Sequence, residues 1–227
     1  MTNLRGKFIA ELAGSAILLA TVVGSGIMGV NLAQGNAGVA LLANAAATAG
    51  ILYVLISVLG PISGAHFNPA VSLVMRMRDE LNNRELVLYL IAQLVGAVIG
   101  VILAHAMFEQ TLLQPGIRVR TGLAQYLSEA TATFGLLITI LLATKQKSTQ
   151  VPALVASYIF AAYWFTSSTS FANPSVTIAR SLTQSFAGIR PDDVLGFIAA
   201  QLIGAGLAYV LFLLAFGFSS SSGSSAK

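Results

Sequence analysis

Asn68-Pro69-Ala70 and Asn173-Pro174-Ser175 are two copies of one short signature, each set inside a long stretch without a charged residue. An Asn-Pro pair opens a helix well. The Asn side chain accepts from the free N–H groups of the first turn, and Pro at the first helical position has no N–H to leave unpaired. Each copy therefore predicts the start of a short helix at a depth where lipid forbids irregular backbone. Such backbone is tolerated only where protein or a water-filled cavity surrounds it. The doubled signature points to a pore.

Composition places the surroundings of these motifs in a membrane. Of 227 residues, 56% are hydrophobic and 9% charged, and the mean hydropathy is +0.82. A soluble surface is about a quarter charged. From Leu12 to Met75 there is no Asp, Glu, Lys or Arg. A crossing needs ~20 apolar residues, so that run holds two crossings and part of a third element. The absence of Cys excludes disulfides, Cys-ligated metal and a Cys nucleophile. A net charge of +4 fits membrane orientation better than nucleic acid. Arg5 and Lys7 ahead of an apolar run imitate a signal peptide, but the run is too long and Glu11 interrupts it. It reads as the first transmembrane helix.

Outward from the motifs, the pattern predicts an all-α membrane protein with crossings at 7–29, 37–59, 84–107, 123–144, 151–168 and 193–217. The segments Gly60 to Asn83 and Thr169 to Asp192 each hold one motif. The half-helix from Pro69 stays uncharged to Met75, and the second is expected from Pro174 to about Gln184. At ~1.5 Å per residue, each covers roughly half of a ~30 Å core. Meeting end to end, they make one more crossing with both positive dipole ends at the midplane.

The two halves repeat. Tyr89-Leu-Ile-Ala-Gln-Leu-Val-Gly-Ala matches Phe197-Ile-Ala-Ala-Gln-Leu-Ile-Gly-Ala, aligning Gln93 with Gln201, while Glu11 and Glu129 each sit near the start of a half. Three crossings per half is odd, so the second half inserts upside down, a pattern that puts the functional site on the pseudo-two-fold axis. The expectation is a single channel domain over 1–218, with repeats at about 5–108 and 121–217 and a disordered Ser/Gly-rich tail at 219–227. With cytoplasmic termini, the inside carries Arg5, Lys7, Arg76, Arg78, Arg84, Lys145, Lys147 and Lys227, and the outside Arg118, Arg120, Arg180 and Arg190. The excess inside favours that orientation.

On these residues, together with Ser63-Gly64-Ala65-His66-Phe67 ahead of the first motif, the chain resembles the aquaporin, or major intrinsic protein, family. The resemblance covers about residues 5–217. It implies a right-handed bundle of six helices plus two re-entrant half-helices, usually a homotetramer, and passive transport with no cofactor. Ser175 stands where the family's second motif normally ends in Ala. The resemblance also implies a narrow filter outside the midplane, formed here by Thr48, Ala161, Ser170 and Val176. Val176 occupies the position of the family's usual Arg. Bacterial members that resemble this chain in that Val, and in the Val-Thr-Ile-x-Arg run after the motif, are linked with arsenite and antimonite.

From the chemistry, Asn68 and Asn173 each present an amide to a passing solute while their backbones are fixed as helix caps, and the dipole ends repel cations. Small neutral filter residues predict a constriction wider and less polar than a water filter. The expected function is a channel for small neutral solutes: glycerol-like polyols, metalloid hydroxides such as arsenite, and water. A water-selective or broad water channel is the alternative, and an alternating-access transporter a remote one; an intramembrane enzyme lacks both a ligand cluster and a paired base. The partners implied are neutral solutes, the lipid bilayer and copies of the chain, with no nucleic acid. The short loops suit a bacterial inner membrane.

Nine further residues, four polar or charged and five glycines, carry expectations. Arg180, one turn beyond Val176, is expected to snorkel at the outer surface, with a swing into the pore as a substitute filter charge the alternative. His66 either lines the pore or serves as a hydrogen-bonded structural group. Glu11 and Glu129 are expected to be buried acceptors for backbone N–H groups of the re-entrant loops rather than a proton relay. Gly14, Gly96, Gly100, Gly204 and Gly206 are expected at close helix crossings.

Overall fold

The computed structural model describes residues 3–217; the expected tail at 219–227 lies outside the described residues. The chain forms α1 (Leu4–Leu32), α2 (Ala37–Ser63), α3 (Pro69–Met77), α4 (Asn83–Met107), α5 (Leu123–Lys145), α6 (Val151–Phe165), α7 (Pro174–Arg180) and, after a single 3-10 turn at Pro191–Asp193, α8 (Val194–Phe216). Among the described residues, five helices are long and apolar enough to cross a membrane, and α6 is a shorter apolar helix of 15 residues.

Asn starts most of these helices. Asn3 Oδ1 accepts from Gly6 N at 2.7 Å, Asn36 caps α2 through Gly38 N and Val39 N, and Asn82 with Glu85 forms a capping box on α4. The crossings are packed as two matching halves. In the first, α1 packs on α4 and α2; in the second, α5 packs on α8 and α6. The halves join where α2 meets α6, and each half-helix wedges against the last helix of the other half, α3 on α8 and α7 on α4. The half-helices α3 and α7 also touch each other. Large apolar side chains face outward along the bundle, among them Val95, Ile99 and Leu103 on α4 and Leu207, Val210 and Leu214 on α8. Lipid, not water, suits such a surface.

Two boundaries differ from expectation for visible reasons. α2 runs on through Gly60-Pro61 to Ser63 and ends on Gly64, whose φ of 86° closes a bond to the Gly60 carbonyl. α7 stops at Arg180 instead of about Gln184. The carbonyls that would continue it are taken by other segments: Arg180 O by Ile189 N at 3.2 Å, Ser181 O by Gly116 N at 2.7 Å and Leu182 O by Gln114 N at 3.1 Å.

The expected close helix crossings hold at Gly96, Gly100 and Gly204, while Gly14 makes its close approach to Phe67 of a re-entrant loop. A Cβ on Gly14 would overlap the Phe67 ring, and on Gly96, Gly100 and Gly204 it would strike the carbonyl oxygens of Leu12, Ala16 and Ala130. Gly206 is the correction: nothing lies within 4 Å of its would-be Cβ. It sits two residues, or ~200°, around the helix from Gly204, on the side of α8 where Leu202, Ile203 and Val210 are exposed.

Candidate functional site

The two re-entrant loops are built on one plan. In the first, Ala65 and Phe67 adopt left-handed φ of 52° and 49°; in the second, Ser170 and Ala172 adopt 50° and 49°. Each such residue costs roughly 1–2 kcal/mol without glycine, so something must hold the backbone there. Two carboxylates do. Glu11 Oε1 accepts from His66 N at 2.9 Å and Ser63 Oγ at 2.7 Å, and Oε2 from Phe67 N at 2.7 Å and Gln93 Nε2 at 2.8 Å. Glu129 accepts from Phe171 N and Ala172 N, both at 2.9 Å, and from Gln201 Nε2 at 2.6 Å. Gln93 and Gln201 each also donate to a half-helix hydroxyl, Ser72 Oγ at 2.9 Å and Thr177 Oγ1 at 2.8 Å.

Asn68 and Asn173 stand where the half-helices meet. Asn68 Oδ1 accepts from Ala70 N at 2.9 Å; Asn173 Oδ1 accepts from Ser175 N at 3.0 Å, Val176 N at 3.3 Å and Ser175 Oγ at 2.8 Å. The hydroxyl that departs from Ala thus adds one more donor to the cap. Each Nδ2 crosses to the other half, Asn68 to Ala172 O and Asn173 to Phe67 O, both at 2.8 Å. A carboxamide nitrogen carries two hydrogens, so each Asn has a second N–H beyond the one given to the opposite loop.

Both Asn side chains line a cavity of about 210 Å³. Its lining also includes Arg180, Ser170, Met75 and Thr144. Of the expected filter residues, Thr48, Ser170 and Val176 line it. Ala161 does not: it is exposed on the outer face of α6. The helix instead turns Val151, Val155, Ile159 and Tyr163 inward at i, i+4 spacing. Counting back from Asn173 to α6 crosses an irregular loop, Thr166 to Ala172, whose left-handed turns break any helical count. Tyr163, absent from the expected filter, reaches across to Thr48, hydroxyl to hydroxyl at 3.2 Å.

Arg180 also corrects expectation. It does not snorkel; it is 1% exposed and lines the cavity. Its Nε donates to Ala187 O, and its guanidinium lies over the Phe171 ring, 3.3 Å from the centroid. Arg180 Nη1 and Ser170 Oγ are both buried and make no hydrogen bond within the described residues. His66 lines the cavity as well, with Nδ1 3.1 Å from Ser72 Oγ and the ring edge-on to Tyr89. His105 lies away from the cavity, between Leu112 O and Thr183 Oγ1, each at 2.8 Å. In the loop after α4, burial followed by the nearby Arg180 charge pushes the Arg120 guanidinium below its ordinary basicity. Among the described residues no group of three or more His, Cys, Asp or Glu is placed to hold a metal ion.

Known proteins resemble the chain in sequence and in fold. Residues 1–170 match the profile of the family described as Major intrinsic protein. The protein named Aquaglyceroporin AqpS of Rhizobium meliloti strain 1021 is 52% identical over 209 residues, covering 92% of this chain and 89% of the relative. Aquaporin PIP2-4 of Zea mays is 31% identical over 227 residues, covering 89% of this chain and 77% of the relative. The X-ray structure of the aquaglyceroporin from Plasmodium falciparum superposes with a TM-score of 0.73 at 18% identity, over 95% of this chain and 96% of that one.

Proposed function

Because the chain belongs to the major intrinsic protein family, we propose that it is a passive channel in which small neutral polyols, metalloid hydroxides such as arsenite, and water pass between Asn68 and Asn173. The observation that carries this reading is a pair of buried donors on the cavity wall, Arg180 Nη1 and Ser170 Oγ, that have no partner within the described residues. A buried polar group without a partner costs about 1–3 kcal/mol. A hydroxylated solute that accepts from both removes that cost while recovering part of its own lost hydration. The similarity to a protein named as an aquaglyceroporin supports the polyol class.

The outer constriction then consists of Thr48, Tyr163, Ser170 and Val176 with Arg180 beside them. Val176 in the usual Arg position leaves the opening wide, while Arg180, one turn further on, supplies a guanidinium from the side. At the midplane the second N–H of each Asn serves the solute, and apolar residues such as Val71 and Val155 offer no competing acceptor. Cations meet two half-helix N-termini and the Arg180 charge, and entry into a narrow cavity strips their hydration. The same reading places a homotetramer in a bacterial inner membrane with both termini cytoplasmic. Arg118, Arg120, Arg180 and Arg190 then belong to the outer side of the bundle, and Lys7, Arg76, Arg78 and Lys145 to the cytoplasmic side.

The deciding measurement is solute flux into proteoliposomes, comparing water, glycerol, arsenite and an ion control in the wild type and in Val176→Arg. The expected result is glycerol and arsenite flux that the added Arg suppresses, with no ion flux. Water flux with both larger solutes excluded overturns the reading.

A further inference from the structure

Arg120 lies in the loop between α4 and α5, where the sequence marks it only as an outer charge. Its importance shows when the two halves are compared. The pseudo-two-fold axis pairs Ser63 with Ser168, His66 with Phe171 and Tyr89 with Phe197. In the first half the Tyr89 ring meets His66 edge-on at 5.3 Å, and its hydroxyl donates to the Ser63 carbonyl at 2.7 Å. In the second half Phe197 meets Phe171 edge-on at 5.1 Å but has no hydroxyl to give. The Ser168 carbonyl is taken by Arg120 Nη1 at 2.8 Å instead.

The same guanidinium reaches a second segment. Arg120 Nε donates to Gly188 O at 2.9 Å, and the residue before Gly188 is Ala187, whose carbonyl holds Arg180 Nε. The residue bonded at the other end, Ser168, accepts through Oγ from Ser170 N at 3.2 Å. The guanidinium plane rests over Phe171, 4.8 Å from the ring centroid, and the Arg120 backbone N–H is anchored on Asp193 Oδ2 at 2.7 Å. One rigid planar group therefore ties together the two backbone segments that carry Ser170 and set Arg180. A lysine, with a single ammonium on a flexible stem, does not reproduce that two-pronged geometry.

We propose that Arg120 is a positioning residue for solute selection at the outer constriction, standing in for the tyrosine hydroxyl that the second half lacks. The inference rests on the reading of Ser170, Val176 and Arg180 as the filter. Arg120 sets where Ser170 Oγ and Arg180 Nη1 meet the solute, so its loss alters which solute passes more than whether the chain folds.

The test is the ratio of glycerol to water permeability, measured by light scattering of proteoliposomes, for Arg120→Met, Arg120→Lys, Phe197→Tyr and the double variant Arg120→Met with Phe197→Tyr. Val176→Arg is run beside them as the control for the filter itself. Arg120→Met is expected to shift the ratio about 2- to 10-fold, the factor one ordinary hydrogen bond represents. Arg120→Lys is expected to fall between, and the double variant to return towards the wild-type ratio because the new hydroxyl is aimed at the Ser168 carbonyl. Phe197→Tyr alone is expected to leave the ratio unchanged. An unchanged ratio in Arg120→Met, or a proportional fall of both fluxes, overturns the proposal when Val176→Arg shifts the ratio, and a shift that Phe197→Tyr does not rescue overturns the tyrosine equivalence. If Val176→Arg leaves the ratio unmoved as well, it is the filter reading that falls. Should Arg120→Met not fold, Arg120→Lys is read by the same outcomes.

Discussion

Asn68 and Asn173 are bonded reciprocally across the pseudo-two-fold axis: the amide of Asn68 donates to the carbonyl of Ala172, the residue just before Asn173, and the amide of Asn173 donates to the carbonyl of Phe67, the residue just before Asn68, both at 2.8 Å. Each Asn thus performs three tasks with one side chain. Its oxygen caps its own half-helix, one N–H staples the opposite loop, and the other N–H is left to the cavity. The staple fixes the distance between the two helix ends.

Replacing either Asn by Ala removes a cap worth about 1 kcal/mol and strands a buried carbonyl at about 1–3 kcal/mol. Asn68→Ala and Asn173→Ala are each expected to lower the thermal unfolding midpoint in detergent. Asn173→Ala is expected to cost more, since Asn173 Oδ1 accepts three hydrogen bonds and Asn68 Oδ1 one. Equal midpoints for the two variants and the wild type would show that the staple carries no stability.

Two glycines one half-turn apart should respond oppositely. Gly204→Ala drives a methyl into the Ala130 carbonyl at the α5 and α8 crossing, so the helices must separate, at a cost of about 1–3 kcal/mol. Gly206→Ala meets nothing within 4 Å and gains roughly 0.5–1 kcal/mol of helix propensity. Thermal unfolding of the pair checks both signs, and a destabilised Gly206→Ala contradicts the open face.

These contrasts also mark what the sequence could disclose. The doubled Asn-Pro signature, the Glu11 and Glu129 carboxylates and the matched Gln93 and Gln201 were legible because each obeys a local rule, a cap or a buried acceptor, repeated at a fixed offset. The inversion followed from counting crossings. Ala161 failed because its assignment depended on counting through Thr166 to Ala172, a loop whose left-handed residues have no regular period. Arg180 was expected at the surface because an arginine normally seeks water; only the folded loops bring Phe171 and the Ala187 carbonyl to it. Arg120 was invisible because its role exists only as the replacement for a hydroxyl missing from Phe197.

Which face of α6 enters the cavity has a direct consequence for flux. Ala161 points outward, so Ala161→Leu is expected to leave water and glycerol permeability unchanged. Tyr163 lines the cavity and meets Thr48 at 3.2 Å, so Tyr163→Ala is expected to widen the outer constriction, raise glycerol flux and admit longer polyols. Proteoliposome uptake of glycerol and a four-carbon polyol distinguishes the two positions. Sensitivity at Ala161 with none at Tyr163 would reverse the assignment.

The two buried carboxylates separate a channel from a gradient-coupled transporter. In Glu129→Gln, the amide nitrogen must replace either Oε1, which accepts from Phe171 N, or Oε2, which accepts from Ala172 N and Gln201 Nε2. Either orientation sets donor against donor and strands at least one buried N–H, at about 1–3 kcal/mol each. Glu11→Gln meets the same conflict among Ser63, His66, Phe67 and Gln93. Both variants are expected to unfold at lower temperature and yield less protein. The flux per folded molecule is expected to survive and to remain independent of any imposed proton gradient, because the carboxylates hold backbone and touch no solute. A Glu129→Gln protein that keeps wild-type stability while losing all flux would instead mean that the carboxylate exchanges a proton during transport, and the passive channel would have to be abandoned.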